Sequence, residues 1–170
     1  LSPVIALTAT ALLAAGFGGP TPMYAAGHGY TFRVLAKLGD PAPGGREHKD
    51  DFEPQDINAS GTVIFVSDLS GGGGEGLFRS RAGVNSQIVR TGLLAPGTSA
   101  RFGPFGILQP GGLNDAGDFA FGFTLDVPFD QFGTNAGVWR YSESSGTVTK
   151  VLVPGDPAPG GTTFLGASFH

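Results

Sequence analysis

The sequence predicts an all-β protein made of tandem four-stranded antiparallel units, and three observations carry that reading. Residues 113–121 (Leu113-Asn114-Asp115-Ala116-Gly117-Asp118-Phe119-Ala120-Phe121) have an earlier counterpart in residues 57–65, with the two copies 56 residues apart (114 minus 58). Each reads as an apolar residue, Asn-x-x-Gly, then a hydrophobic run ending in Phe. A second motif, Gly39-Asp40-Pro41-Ala42-Pro43-Gly44-Gly45, returns as Gly155-Asp156-Pro157-Ala158-Pro159-Gly160-Gly161 and, degraded, as Gly92-Leu93-Leu94-Ala95-Pro96-Gly97. Finally, 30 Gly and 13 Pro beside one Trp and one Met describe a turn-rich chain with little room for long helices.

Asn-x-x-Gly between two apolar runs is a tight hairpin, because Asn bonds its own backbone and Gly takes φ > 0 without steric cost. Taken in order, residues 30–37 alternate and are rich in aromatic and β-branched types, which predicts a half-buried strand. It stops at the first Pro/Gly mark, where two prolines remove donors and fix φ. The first unit then offers strands over 51–57, 62–69, 76–81 and 87–91, with a Gly71-Gly72-Gly73-Gly74 loop after the second. The second offers 105–113, 118–126, 137–142 and 147–153. Gly76-Leu77-Phe78-Arg79 matches Gly137-Val138-Trp139-Arg140 and aligns the third strands.

A four-stranded antiparallel unit recurring at this length predicts a β-propeller-like array, although propellers more often repeat at about 40–50 residues. The resulting division is a last strand of a preceding unit at 30–38, unit one at 39–91, unit two at 92–153 and the start of a further unit at 154–170. Residues 28–170 thus form one β-repeat region, expected to be an incomplete fragment of a longer array. Its unpaired strand edges predict self-association.

Residues 1–27 read differently. An apolar run from Pro3 to Phe17 ends in Gly and Pro breakers and the small residues Ala25-Ala26-Gly27, as in the h-region and cleavage end of a secretory signal peptide. The run falls short of the roughly 20 residues a spanning helix needs. Export with removal near Gly27 or His28 is expected, leaving no membrane span and a secreted or cell-surface chain. A buried N-terminal helix is the competing reading, weakened because the run has no polar face.

Composition narrows the chemistry. Charged residues are 14% and the net charge is -4, so nucleic acid is not an expected partner. The absence of cysteine removes disulfides, thiolate zinc sites and thiol nucleophiles together. Glu47-His48-Lys49-Asp50-Asp51 is the densest polar cluster, but a solvated loop explains it better than a metal site, since the second unit has only Thr98-Ser99-Ala100-Arg101 there. Asn114-Asp115-Ala116-Gly117-Asp118 loosely suggests calcium, yet the first copy lacks both carboxylates, so a turn explains both copies. Asp40 and Asp156 are best read as Asx-type turn residues rather than a catalytic pair. His28 and His170 lie at the two ends. No Ser/His/Asp set, nucleophile elbow or phosphate loop occurs. No catalytic, cofactor-binding or metal residues, and no cofactor, are therefore assigned.

The aromatic residues Phe65, Phe78, Phe121, Phe123 and Trp139 fall at strand positions and are expected to fill the space between stacked units. Phe102, Phe105, Phe129 and Phe132 sit in Gly/Pro-rich segments, where they either close over the core or stack on a sugar or a partner chain.

Through Asn58-x-x-Gly61-x-x-Ile64-Phe65, Asn114-x-x-Gly117-x-x-Ala120-Phe121 and Gly-Asp-Pro-Ala-Pro-Gly-Gly, the chain resembles the bacterial NxxGxxAF tandem-repeat, choice-of-anchor exported proteins. The resemblance covers roughly residue 30 to the end and departs at Ile64, where the pattern has Ala. It implies export and surface location, and it supplies no catalytic residue. Two functions follow as expectations. One is a non-catalytic exported repeat scaffold that binds an extracellular protein or glycan. The other, from fold analogy alone, is a secreted propeller-type polysaccharide hydrolase or lyase.

Overall fold

The computed structural model describes residues 5–8, 23–24, 31–127 and 135–165. Among them every regular element is a strand, and no helix is long and apolar enough to cross a membrane. Strands β1 (Ile5–Thr8), β2 (Met23–Tyr24) and β3 (Thr31–Val34) form a small sheet in the order β1-β3-β2. The described residues of the apolar N-terminal run thus pair with the strand expected at 30–37. A two-stranded ladder pairs β4 (Pro41–Ala42), in the first Pro/Gly mark, with β5 (Arg46–Glu47), just after it.

Two four-stranded antiparallel meanders make up the rest. The first is β6 (Glu53–Ile57), β7 (Val63–Asp68), β8 (Glu75–Arg81) and β9 (Val84–Arg90), paired in chain order. The second is β10 (Phe102–Gly111), β11 (Phe119–Leu125), β12 (Ala136–Ser142) and β13 (Thr147–Leu152), also in chain order. The expected strands are all present, with ends displaced by a few residues. Registers agree too: Phe65 lies opposite Phe78 in the first sheet and Phe121 opposite Trp139 in the second. Both sheets carry a bulge at the same place between their third and fourth strands, at Leu77/Phe78 and at Val138/Trp139.

Local chemistry explains the shared hairpins. Gly61 and Gly117 donate to the carbonyls of Asn58 and Asn114 at 2.9 and 3.0 Å, and both glycines have positive φ, 76° and 94°. The Asn58 Oδ1 accepts from the Ser60 and Thr62 amides, and the Asn114 Oδ1 from the Asp118 amide. Each side chain thereby satisfies backbone donors that the sheet ladder cannot reach. A shared glycine at the start of the third strand has a different cause. A Cβ on Gly76 would lie 2.7 Å from the Phe78 ring, and one on Gly137 2.6 Å from the Trp139 ring, so each ring occupies the space a side chain would need.

The strands alternate, and the two faces of each sheet meet different neighbours. In the first sheet Ile64, Val66, Leu77 and Val89 point toward the second sheet, where they pack with Phe119, Phe121, Phe123, Trp139 and Tyr141 in one core. The opposite face of the first sheet places Phe65, Phe78 and Leu69 against Ala36 and Ala42 in a smaller core. Phe65 and Phe121 are both fully buried, at equivalent positions. Burying side chains of this size supplies about 1.5–3 kcal/mol each, so the larger core is the principal source of stability.

Polar contacts latch the sheets together at their hairpin ends. Asn58 donates from Nδ2 to the Asn114 carbonyl at 2.9 Å, the Ala59 amide donates to Asp115 at 3.2 Å, and the Leu113 amide donates to Asp56 at 2.8 Å. Arg79 pairs with Glu143, and Arg81 reaches the other oxygen of the same carboxylate at 2.6 Å.

Candidate functional site

The three Pro/Gly marks fold alike. Gly39, Gly92 and Gly155 donate to the carbonyls of His48, Phe102 and Phe164, each at 2.8 Å, and the amides of those three residues donate back to Asp40, Leu93 and Asp156. Asp40 and Asp156 also accept from the amides of Lys37 and Val153, at 3.1 and 2.9 Å. Both thus hold a local backbone amide in a turn, as the sequence predicts, but the bond runs three residues back and not forward as in an Asx turn. Lys150, 2.7 Å from Asp156, and the Val153 amide hold that carboxyl below the usual range.

This equivalence places His48 where the other marks carry Phe. Phe102 is buried, with its ring 4.7 Å from Phe123 and 4.9 Å from Trp139. His48, 1% exposed, sits 4.9 Å from Phe78, the counterpart of Trp139, and its Nδ1 is 2.6 Å from the Oγ of Ser67. Ser67 in turn stands at the position of Phe123. A polar pair in the first unit thus replaces an aromatic pair in the second. Burial lowers the His48 pKa, partly opposed by the charge of Asp40, and its Nε2 has no protein partner. His48 is therefore not part of the solvated loop expected over 47–51, because an inward-facing aromatic position takes its ring.

The rest of that segment runs along the end of β7. The Lys49 amide donates to the Asp68 carbonyl and the Asp68 amide to the Asp50 carbonyl, at 2.9 and 3.1 Å. Arg46 caps the glycine loop, donating to the carbonyls of Ser70 and Gly71 at 2.7 and 3.2 Å. Asp50, Asp51 and Asp68 are thereby brought together, with carboxylate oxygens within 4.8 Å of one another. Asp68 is pushed up to about 6, first by burial and then by its shared hydrogen bond with Asp50 and the charges of Asp50, Glu75 and Asp51. Sequence reasoning found Asp50 and Asp51 but missed Asp68, which lies 17 residues beyond Asp51 (68 minus 51). The available signal was the repeat itself, since Asp68 aligns with Thr124 and is a carboxylate peculiar to the first unit.

The other candidates serve structure. Asp115 accepts from unit one, while Asp118 accepts from the Glu143 amide at 2.9 Å and holds Arg140 at 2.7 Å, which keeps its carboxyl low. The Asn114 segment is a turn. Phe102 closes over the core, whereas His28, His170, Phe129, Phe132 and the Phe105 side chain lie outside the described residues.

What the arrangement offers chemically is a carboxylate cluster at the end of β7, where Asp68 and Asp50 share a hydrogen bond, and a buried imidazole bonded to Ser67 of the same strand. No curated protein and no solved structure matches the chain. A family model matches residues 20–170, and the chain belongs to that family, a family of unknown function (DUF7453).

Proposed function

We propose that the protein is an exported, non-catalytic repeat scaffold, β-propeller-like in its stacking of four-stranded units, that binds an extracellular protein or glycan at or outside the cell surface. The supporting observation is the division of labour between the units. What they share is structural: turn Asn and Gly, strand aromatics, glycines under rings, and matching bulges. Apart from the buried His48–Ser67 pair, what differs includes the carboxylates Asp50, Asp51 and Asp68 at the loop end of β7, the pattern of a frame that carries variable contacts. The resemblance to NxxGxxAF repeat proteins points the same way.

Co-sedimentation of the purified chain with cellulose, chitin, peptidoglycan and washed bacterial cells tests the binding role. Saturable retention on at least one surface is expected, and absence of retention on all four counts against it. Mass spectrometry of exported chain tests the export reading, with an N-terminus near Gly27 or His28 expected.

The second reading, a secreted polysaccharide hydrolase or lyase, draws on one observation: a carboxyl raised to about 6 that shares a hydrogen bond with a neighbouring carboxylate resembles an acid–base pair. Release of reducing ends or unsaturated sugars by the chain, abolished in Asp68→Asn, would establish it. The scaffold reading expects no release.

A further inference from the structure

The contact between the two sheets is directional: one face of the first meets the opposite, aromatic face of the second. Each residue that unit one contributes therefore has a counterpart on unit two, on the face turned away from unit one. Ile64, Leu77 and Val89 are buried in the shared core, while their counterparts Ala120, Val138 and Leu152 are partly exposed. Nearby Val151 is 55% exposed. Arg79 reaches across to Glu143, whereas its counterpart Arg140 is exposed and turns back to Asp118 of its own unit. Asn58 donates to the next hairpin, while Asn114 is exposed and its Oδ1 closes only its own turn.

The third Pro/Gly mark adds an independent observation. Its backbone is closed by the same hydrogen bonds as the first two, yet the ring that ends it is only partly buried. His48 and Phe102 each lie against the third-strand aromatic of the unit that follows, Phe78 or Trp139. Phe164 holds the same turn position without such a neighbour among the described residues.

We propose that the outer face of the second sheet, with Phe164 at its edge, is a docking surface for one further four-stranded unit of this repeat, continuing in the same chain from Phe164. The occupant is defined by the existing interface. It presents an aromatic pair at the Phe121 and Trp139 positions to cover Val138 and Leu152, an aromatic ring against Phe164, and a carboxylate at the Glu143 position to take Arg140. The inference rests on the repeat reading and is independent of whether the array binds a glycan.

The test extends the chain by joining residues 103–153 directly after Phe164, which resumes the sequence at the point equivalent to Gly103. Urea unfolding of the extended chain should show one cooperative transition with a higher midpoint than the parent. Val138→Arg should erase that gain in the extended chain while leaving the parent close to unchanged. A cooperative extended chain with no gain, or a gain that survives Val138→Arg, overturns the proposal.

If the extension fails to fold, the parent decides. Leu77→Arg, at the occupied face, should lower the midpoint strongly and Val138→Arg barely, whereas equal losses overturn the proposal. Sedimentation of the parent provides the remaining arm. Concentration-dependent dimers abolished by Val138→Arg would give the face to a second copy and overturn continuation in the same chain. Failure of surface retention in co-sedimentation bears on the binding role alone, so the two readings fail separately.

Discussion

The two units have the same strand order, the same aromatic register and the same bulge, but they fill the space over their third-strand aromatic in opposite ways. Unit two uses Phe102 and Phe123 against Trp139, and unit one uses His48 and Ser67 against Phe78. Exchanging one member alone would strand either a hydroxyl or an imidazole in an apolar pocket, at a cost of about 1–3 kcal/mol. Exchanged together, the hydroxyl and the imidazole Nδ1 satisfy each other. The frame therefore tolerates a polar core where partners change as a pair, and unit one carries a titratable group at a place where unit two carries none.

Truncating the aromatic anchors should separate the units most sharply. Trp139→Ala removes the largest buried side chain and its indole bond to the Pro96 carbonyl at 3.1 Å, so a loss of about 3–5 kcal/mol is expected in urea unfolding. Phe78→Ala, in the smaller core, should cost less. Equal losses would show that the cores are not the unequal partners described above.

Glu143→Gln comes next. It leaves Arg79 and Arg81 without their shared carboxylate in a place where the Arg79 and Glu143 side chains are only 17% and 12% exposed. A loss of about 2 kcal/mol is expected, between surface and buried ion pairs. The effect should shrink little at high salt.

The His48–Ser67 pair yields a pH signature. The His48 pKa is lowered in the folded state, so its contribution to stability is fully present above the unfolded value of 6.5 and falls away as pH drops below it. His48→Phe combined with Ser67→Ala should remove that acid sensitivity and raise stability at pH 5 relative to the parent, read from urea midpoints across pH. A double variant with the same pH slope as the parent would exclude His48 as the source.

Asp68 works with the opposite sign and the smallest effect. Its pKa rises from 3.8 to about 6 on folding, so the folded state binds its proton more tightly and loses stability as pH rises through that window. Asp68→Asn should stabilise the chain at pH 7.5 by about 1 kcal/mol after solvent screening, with no gain at pH 3.5. Calorimetry at the two pH values measures the difference.

Strand positions were legible because their punctuation is local. Asn58 and Gly61 close a turn by themselves, and the Pro/Gly marks turn the chain through their own backbone bonds. The carboxylate cluster was not legible, because Asp68 meets Asp50 only after the segment 46–50 lies along the end of β7. The Glu143 latch was equally hidden, since its partners are 62 and 64 residues away on another sheet. The burial of His48 was masked by its charged neighbours, Glu47, Lys49 and Asp50. Aligning the ends of the Pro/Gly marks would have exposed it: Gly39 to His48 and Gly155 to Phe164 both span nine residues (48 minus 39, 164 minus 155).

The meander order has a mechanical consequence. In each unit the chain enters at one edge strand, β6 or β10, and leaves at the other, β9 or β13. Tension on the ends therefore pulls neighbouring strands sideways and opens their hydrogen bonds one after another, whereas strands drawn along their length would have to break many at once. A unit of this kind yields at low force, and the hairpin latches through Asn58 and Glu143 part before either sheet unravels. Single-molecule pulling should show a small early extension followed by two larger ones, one for each sheet. Such an array lengthens under load by releasing sheets in turn, a compliance that a shear-loaded sheet does not have.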